Sequence, residues 1–198
     1  MRRLRLALGV TSDTGATCNR MNTFIALLRG INVVGKHSLP MNELVALLKD
    51  LGARNIKTYI QSGNAVFQSS KKNASLIASR LTDEIKKRYG FAPHVLILGI
   101  DAIERAIAQN PFPEAETDPS SLHLGFMAST PKNPDLKKLD NLRKASERFR
   151  LSAHVFYLHT PEGVGNSKLP ASAEKLLGVP MTYRNWRTVC KIGEIASE

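Results

Sequence analysis

The chain has 198 residues, and its 42% apolar content is enough for the core of one ordinary domain or of two small ones. The formal net charge of +11 favours nucleic acid, phosphate or an anionic surface as a partner but carries no information about the fold. Two cysteines, Cys18 and Cys190, exclude a disulfide framework and a Cys-x-x-Cys metal site and indicate a reducing cytosol, and no apolar run approaches the ~18 residues of a membrane span.

Residues 1–21 differ in character from the rest of the chain. Four arginines and one aspartate among the first twenty residues account for three of the net positive charges. The apolar stretch after the basic start is too short for the core of a signal peptide, and no Ala-x-Ala-like cleavage site follows it. We therefore predict that residues 1–21 form a disordered leader and that the folded part begins at its end.

The hydrophobic pattern of residues 22–109 predicts a ferredoxin-like unit. Pro40 suits the first turn of a helix that Gly52 ends, and Gln61-Ser-Gly-Asn64 is a tight polar turn that joins two strands into a hairpin. The resulting order βαββαβ is typical of a four-stranded antiparallel sheet with two helices on one face. The predicted strands are 23–28, 56–60, 65–68 and 93–98, the second helix is 73–89, and a short helix follows at 101–109.

A second unit is predicted after residues 110–120. Those residues contain three prolines and three acidic side chains, which is typical of a connector between compact units. Residues 121–198 then repeat the order of the first half, although only three strands are evident there, at 122–128, 153–159 and 180–183. We predict an α+β protein of two ferredoxin-like halves with antiparallel sheets, built by duplication, with a cleft between residues 22–109 and residues 121–198.

The segment Gly30-Ile-Asn-Val-Val-Gly-Lys36 fits the first seven positions of the phosphate-loop pattern. The eighth residue is His37, which lacks the hydroxyl that holds magnesium, and the predicted sheet is antiparallel whereas a nucleotide-hydrolysing loop needs a parallel one. Two interpretations stay open. The glycines serve the turn alone, or backbone N–H groups, Arg29 and Lys36 form an anion site at which Asn32 adds polar recognition.

A second glycine-containing loop, Gly163-Val-Gly-Asn-Ser-Lys168, precedes a predicted helix in the second half. Ser167 is a candidate helix cap and Lys168 a candidate cation, and if a pseudo-twofold axis relates the halves, this loop and the loop at Gly30 could line one cleft. The structural alternative is a cap followed by a solvated lysine.

Arg184, Asn185 and Trp186 open the last predicted helix. Asn185 is a good helix cap, and the ring of Trp186 either anchors the core or stacks on a planar ligand. Arg184 would then bind a phosphate or carboxylate as a fork. At the hairpin tip, Gln61, Ser62 and Asn64 either recognise a polar ligand or only make the turn. No Gly-x-Ser-x-Gly elbow is present and the histidines are scattered, so catalytic residues are not assigned, and we expect neither a bound metal nor a cofactor.

Four motifs in this order carry a family resemblance: Leu27-Leu-Arg-Gly-Ile-Asn-Val33, Thr58-Tyr-Ile-Gln-Ser-Gly-Asn-Ala-Val-Phe67, Ser167-Lys-Leu169 and Arg184-Asn-Trp-Arg-Thr-Val189. With them the chain resembles the uncharacterised bacterial family named domain of unknown function 1697, over about residues 22–196. The resemblance implies a fold of two α+β halves and implies no activity or ligand.

The sequence leads to the hypothesis that the protein binds an anionic ligand, a nucleotide or nucleic acid, in a basic cleft between its halves. Trp186 would be the stacking platform. An enzyme acting on a small phosphorylated or carboxylated metabolite and a homo-oligomeric interaction module without ligand are the alternatives. The candidate ligand-binding residues are Arg29, Asn32, Lys36, Gln61, Ser62, Asn64, Ser167, Lys168, Arg184, Asn185 and Trp186.

Overall fold

The computed structural model describes residues 21–33 and 37–198, so the predicted leader, apart from Met21, and Lys36 lie outside the described residues. The first half contains strands β1 (Asn22–Arg29), β2 (Arg54–Tyr59), β3 (Asn64–Ser69) and β4 (His94–Gly99), with helices α1 (Met41–Asp50), α2 (Ala74–Tyr89) and α3 (Ile100–Ala108). The second half contains β5 (Leu122–Met127), β6 (Arg148–Leu151), β7 (Val155–His159) and β8 (Met181–Asn185), with α4 (Leu136–Leu142), α5 (Leu169–Leu177) and α6 (Trp186–Ser197).

Each half is an antiparallel four-stranded sheet with ferredoxin-like connectivity. The strand order is β2-β3-β1-β4 in the first sheet and β6-β7-β5-β8 in the second, and every strand pair is antiparallel. Two crossover helices follow the first and third strands of each half, as the split βαβ arrangement requires. The predicted fold class is therefore confirmed.

The central strands of the two sheets share one pairing register. In the first half the backbone N–H of Leu28 donates to the carbonyl of Gly63 at 2.8 Å, and in the second half the N–H of Met127 donates to the carbonyl of His154 at 2.9 Å. These two hydrogen bonds lie at the same point of the ladder, one residue beyond the last strand pair, Leu27 with Asn64 or Phe126 with Val155. The shared register identifies equivalent positions in β1 and β5, in β3 and β7, and in β4 and β8.

Strand β6, the second strand of the second half in chain order, is not predicted from the sequence. Its residues Arg148-Phe-Arg-Leu151 lie at the edge of the sheet, where only every second side chain is partly covered. A four-residue strand with two arginines has no apolar run to detect, and charged edge strands of this kind are common because they discourage edge-to-edge association. The predicted strand at 153–159 is correspondingly shorter and begins at Val155.

Both faces of both sheets are covered. The face of the first sheet with Phe24, Ala26 and Leu28 packs under α1 and α2, which explains why β1 is a continuous apolar run. The opposite face, with Ile25 and Leu27, shares one core with α3, α6 and the inner face of the second sheet. The outer face of the second sheet packs against α4 and α5. The helices α3 and α6 thus form a middle layer between the two sheets.

Neither a membrane-spanning helix nor a cluster of metal-ligating side chains occurs among the described residues. No helix within them combines the length and apolarity that crossing a bilayer requires. Nor do three or more histidine, cysteine, aspartate or glutamate side chains come together there as a set of metal ligands.

Candidate functional site

Six of the candidate residues gather where the end of β1 and the β2–β3 hairpin meet β8 of the second half. Arg29 ends β1, Arg184 lies in β8, and the remaining four come from the loop after β1 or from the hairpin between β2 and β3. The four are Asn32, Gln61, Ser62 and Asn64. Arg184 contacts Ser62 and Asn64, and Asn32 contacts Gln61. Arg29 instead bonds to Glu174 and Met181 of the second half.

The guanidinium of Arg184 crosses from the second half into a cradle of oxygen atoms in the first. Its Nη2 donates to the carbonyl of Leu28 at 2.7 Å and to that of Ser62 at 3.0 Å, and it lies 3.4 Å from the carbonyl of Gly63. Its Nε donates to the amide oxygen of Asn64. We name the set of Leu28, Ser62, Gly63 and Asn64 the carbonyl cradle, because backbone carbonyls supply most of its acceptors.

No carboxylate hydrogen-bonds to Arg184 within the described part of the chain. Burial lowers the pKa of its guanidinium to about 10, so the side chain stays charged at neutral pH. Neutral oxygens offset the cost of burying that charge by accepting its planar, forked donors. Arg184 is therefore occupied as a clamp between the halves and does not present a free fork to a ligand.

Asn64 and Asn32 support the same clamp. Asn64 is fully buried, and its amide nitrogen donates to the carbonyl of Tyr59 and to the hydroxyl of Ser62. Asn32 has φ of 55°, and its amide group bonds both backbone polar groups of Leu39 and the carbonyl of Gln61 at 2.8 Å. These side chains join the loop after β1 to the hairpin, which is the turn-forming alternative considered for them.

Arg29 forms a second contact between the halves. Its Nη1 pairs with the carboxylate of Glu174 on α5 and donates to the carbonyl of Met181 at 2.9 Å. The carboxylate of Glu174 also accepts from the backbone N–H of Met181. Because both ions are partly exposed, the ion pair itself adds little to stability, and its effect is to set the position of β8 against β1.

His94, the first residue of β4, gives this interface a dependence on pH. Burial, and then the positive charge of Arg29, lower the pKa of the His94 imidazole below 6.5, while Glu174 opposes the shift. The unfolded chain therefore binds a proton near pH 6.5 that the folded chain does not, so stability falls as the pH drops below that value. We expect urea unfolding from pH 7 to pH 5 to show a smaller loss of stability in His94→Asn than in the wild type. His123 and His159 remain in both proteins, so parallel pH curves would contradict this assignment.

The second glycine loop does not join this cluster. The hydroxyl of Ser167 accepts a hydrogen bond from the N–H of Leu169, and Lys168 is exposed. Within residues 21–33 and 37–198, neither side chain bonds to the first half. The loop follows β7, the equivalent of β3, whereas the loop at Gly30 follows β1. The two loops therefore lie at non-equivalent positions of the duplicated fold.

Asn185 and Trp186 have structural positions. The side chain of Asn185 accepts from the N–H of Thr188 at 2.9 Å and caps α6, as the sequence indicates. Trp186 is 5% exposed and packs in the core shared by the two sheets. Its ring is the core anchor considered from the sequence and has no exposed face on which a base could stack.

A cavity of about 740 Å³ opens between the halves beside α3, and none of the candidate residues lines it. Its walls are the edge strand β4, the start of α2, one side of α3, the end of β5 and the turn between β6 and β7. The apolar part of the lining includes Leu96, Leu98, Phe126, Val155 and Tyr157. A cavity is therefore present between the halves, but the residues expected to line a cleft do not line it.

The polar groups of the cavity carry mixed charge. Arg105 and Asp101 on α3 form an ion pair at 2.7 Å, and His154 lies in the turn before β7. The hydroxyl of Tyr157 donates to the carbonyl of Ala106 at 3.0 Å, and burial raises its pKa to about 12, so this phenol remains a donor at neutral pH. The lining carries both a negative and a positive side chain, whereas a basic cleft was expected.

Sequence reasoning missed this cavity because its residues carry only a weak signal. Asp101 and Arg105 on α3, and Gln109 just after it, recur at spacing four, which is also the spacing on any solvated helix face. The remaining lining comes from β4, the start of α2, strand residues of the second half and a turn, which are distant from one another in sequence.

The chain is similar to a known sequence family and to a solved structure. The family model described as protein of unknown function (DUF1697) matches residues 21–157, which confirms the resemblance over that range. The solved structure of the conserved bacterial protein SP0830 from Streptococcus pneumoniae is similar with a TM-score of 0.66 and 26% sequence identity, covering 89% of this chain and 99% of that chain. No curated protein matches the chain.

Proposed function

The chain belongs to the DUF1697 family of proteins of unknown function, and from this premise we propose that it binds a small ligand with an anionic group in the cavity between its halves. The cavity itself supports the proposal. Its volume of about 740 Å³ falls within the range of about 300–1,000 Å³ in which most small-molecule sites lie. Both halves contribute walls, so the duplication creates a site that neither half contains alone.

Arg105 is the group that would bind the anion. Its side chain is 63% exposed and is paired with Asp101 at 64% exposure. Exposed ion pairs contribute about 0–1 kcal/mol, so the guanidinium can exchange Asp101 for a ligand carboxylate or phosphate at small cost. The planar fork of arginine suits both anions, and a nucleotide, a sugar phosphate and a carboxylic acid all carry one of them.

The buried sheets weigh against nucleic acid as the ligand. Ferredoxin-like RNA-binding domains stack bases on exposed aromatic residues of the central strands. Here Phe67 is 1% exposed under α1 and α2, and the opposite face of the same sheet is covered by the middle layer. The basic surface could still attract nucleic acid, but that association would be sensitive to salt and independent of the cavity.

Filling the cavity is the direct test. We expect Ala102→Trp, on the cavity side of α3, to weaken ligand binding at least tenfold because the indole occupies the space of the ligand. Ala108→Trp is the matched control, since Ala108 lies on the same helix, is exposed and does not line the cavity. Thermal unfolding of the full chain with nucleoside monophosphates, sugar phosphates and small carboxylic acids at two salt concentrations provides the measurement.

The anion assignment has its own variant. Arg105→Gln should weaken binding of the same ligand, whereas Arg80→Gln on the exposed surface of α2 removes an equal charge without touching the cavity. Binding that survives Ala102→Trp, or that is confined to oligonucleotides and disappears with salt, would contradict the proposal. A series in which no ligand stabilises the wild-type chain would also count against it.

A further inference from the structure

The cavity is the duplicated counterpart of the Arg184 clamp. Arg184 pairs with Leu124 in the second sheet, and the equivalent pair in the first sheet is Leu98 with Ile25. Leu98 therefore occupies in β4 the position that Arg184 occupies in β8. The molecule has two equivalent notches between its halves, and a side chain of the protein closes one of them.

Every member of the carbonyl cradle has a counterpart in the cavity wall. Leu28 corresponds to Met127 and Gly63 to His154, as their matching hydrogen bonds show. The neighbouring positions follow from the same register. The counterparts of Leu28, Ser62, Gly63, Asn64 and Arg184 are Met127, Ala153, His154, Val155 and Leu98, and all five line the cavity.

The two notches differ in what fills them. At the first notch, the guanidinium of Arg184 donates to four oxygen atoms of the carbonyl cradle. At the second, Leu98 has no hydrogen-bond donor in its side chain, so β4 provides nothing to the carbonyls of Met127 and Ala153. Val155 stands at the position of Asn64, so the second notch also lacks the side-chain amide. We name Met127, Ala153 and His154 the open cradle.

We propose that the open cradle binds a guanidinium or amidinium group of the ligand, in the manner in which the first cradle holds Arg184. This inference rests on the proposed function, because it uses the same cavity. A planar group with several N–H donors can reach carbonyls from both the strand end and the turn, which a compact ammonium cannot do as well. With the anionic group at Arg105, the ligand is a small guanidino acid.

A ligand series on the wild-type chain tests the chemistry. We expect 4-guanidinobutyrate, titrated at millimolar concentration by calorimetry, to bind about tenfold more tightly than 4-aminobutyrate or butyrate, because only the first carries a planar fork of donors. Equal affinities for the three compounds would overturn the inference.

A substitution in β4 tests the geometry. Leu98→Arg should place the protein's own guanidinium in the open cradle, as at Arg184, and so abolish binding of 4-guanidinobutyrate. Ala108→Arg is the control, because it adds the same charge at an exposed position of α3 that does not line the cavity, and it should retain the affinity within about threefold. Unchanged binding in a folded Leu98→Arg variant would overturn the inference, and the ligand series remains decisive if that variant fails to fold.

The outcomes separate the two proposals. If nucleotides or simple acids bind, are blocked by Ala102→Trp, and 4-guanidinobutyrate is no better, the cavity is a ligand site and the guanidinium assignment is wrong. If 4-guanidinobutyrate binds equally well to Ala102→Trp, it binds outside the cavity and the assignment is also wrong. Tight binding of 4-guanidinobutyrate that both Ala102→Trp and Leu98→Arg remove supports both proposals.

Discussion

Replacement of Arg184 by alanine is expected to lower the free energy of unfolding by about 3–5 kcal/mol. The change leaves the carbonyl of Leu28 and the buried amide oxygen of Asn64 without their shared donor. Each unsatisfied buried polar group costs about 1–3 kcal/mol, and the clamp between the halves disappears as well. Urea unfolding monitored by circular dichroism provides the measurement.

The neighbouring arginine supplies the control for this experiment. Arg187 is exposed on α6, so Arg187→Ala should change the stability by no more than about 0.5 kcal/mol although it removes the same charge. Arg184→Lys keeps the charge but cannot reproduce the fork, and should recover less than half of the loss. If Arg184→Ala proves as mild as Arg187→Ala, the guanidinium does not hold the halves together.

Gly63→Ala is expected to destabilise the chain by about 2–5 kcal/mol. Gly63 has φ of 78°, and a Cβ at this position would lie 2.8 Å from the Cβ of Leu28 and 2.8 Å from the Cδ1 of Ile31. Backbone strain at positive φ contributes about 1–2 kcal/mol, and forcing a methyl group into a closed core contributes about 1–3 kcal/mol more. The hairpin would also shift the carbonyls that Arg184 binds.

Gly90→Ala separates the two contributions. Gly90 ends α2 with φ of 77°, nearly that of Gly63, but no heavy atom beyond its chain neighbours lies within 4 Å of the position that a Cβ would take there. We expect this control to lose only the strain, about 1–2 kcal/mol. Equal losses in the two variants, measured by urea unfolding, would show that the contact with Leu28 and Ile31 is not limiting.

The two notches suggest how the duplicated fold serves binding. A single ferredoxin-like half would leave the inner face of its sheet exposed, and pairing two halves buries both inner faces around α3 and α6. The clamp at Arg184 holds this arrangement at one notch. The other notch then remains as a preformed cavity. A loss of ligand affinity in Arg184→Ala would accordingly be indirect, since Arg184 does not line the cavity.

Much of the fold can be predicted from local signals. The continuous apolar run of β1, the spacing-four pattern of α2 and the capping residue Asn185 each depend on neighbours within a few positions. The sequence places the hairpin turn one residue too late, because Ile60 takes the positive φ there and Asn64 already belongs to β3. Positive φ is rare for isoleucine, so local propensity gives no signal for a turn that begins at Ile60.

The sequence by itself determined the fold class and the family, because hydrophobic period, turn residues and motif order are properties of neighbouring positions. It favoured a duplication but shows no residue-level repeat. It also singled out Arg184 and Asn64, whose roles were expected to lie in ligand binding. Only the tertiary structure decided that these polar residues bind each other across the halves, and that the cavity opens at the equivalent notch beside Leu98. The reason is physical: a hydrogen bond between residues 120 positions apart and a space enclosed by two sheets arise from packing, which no local spacing encodes.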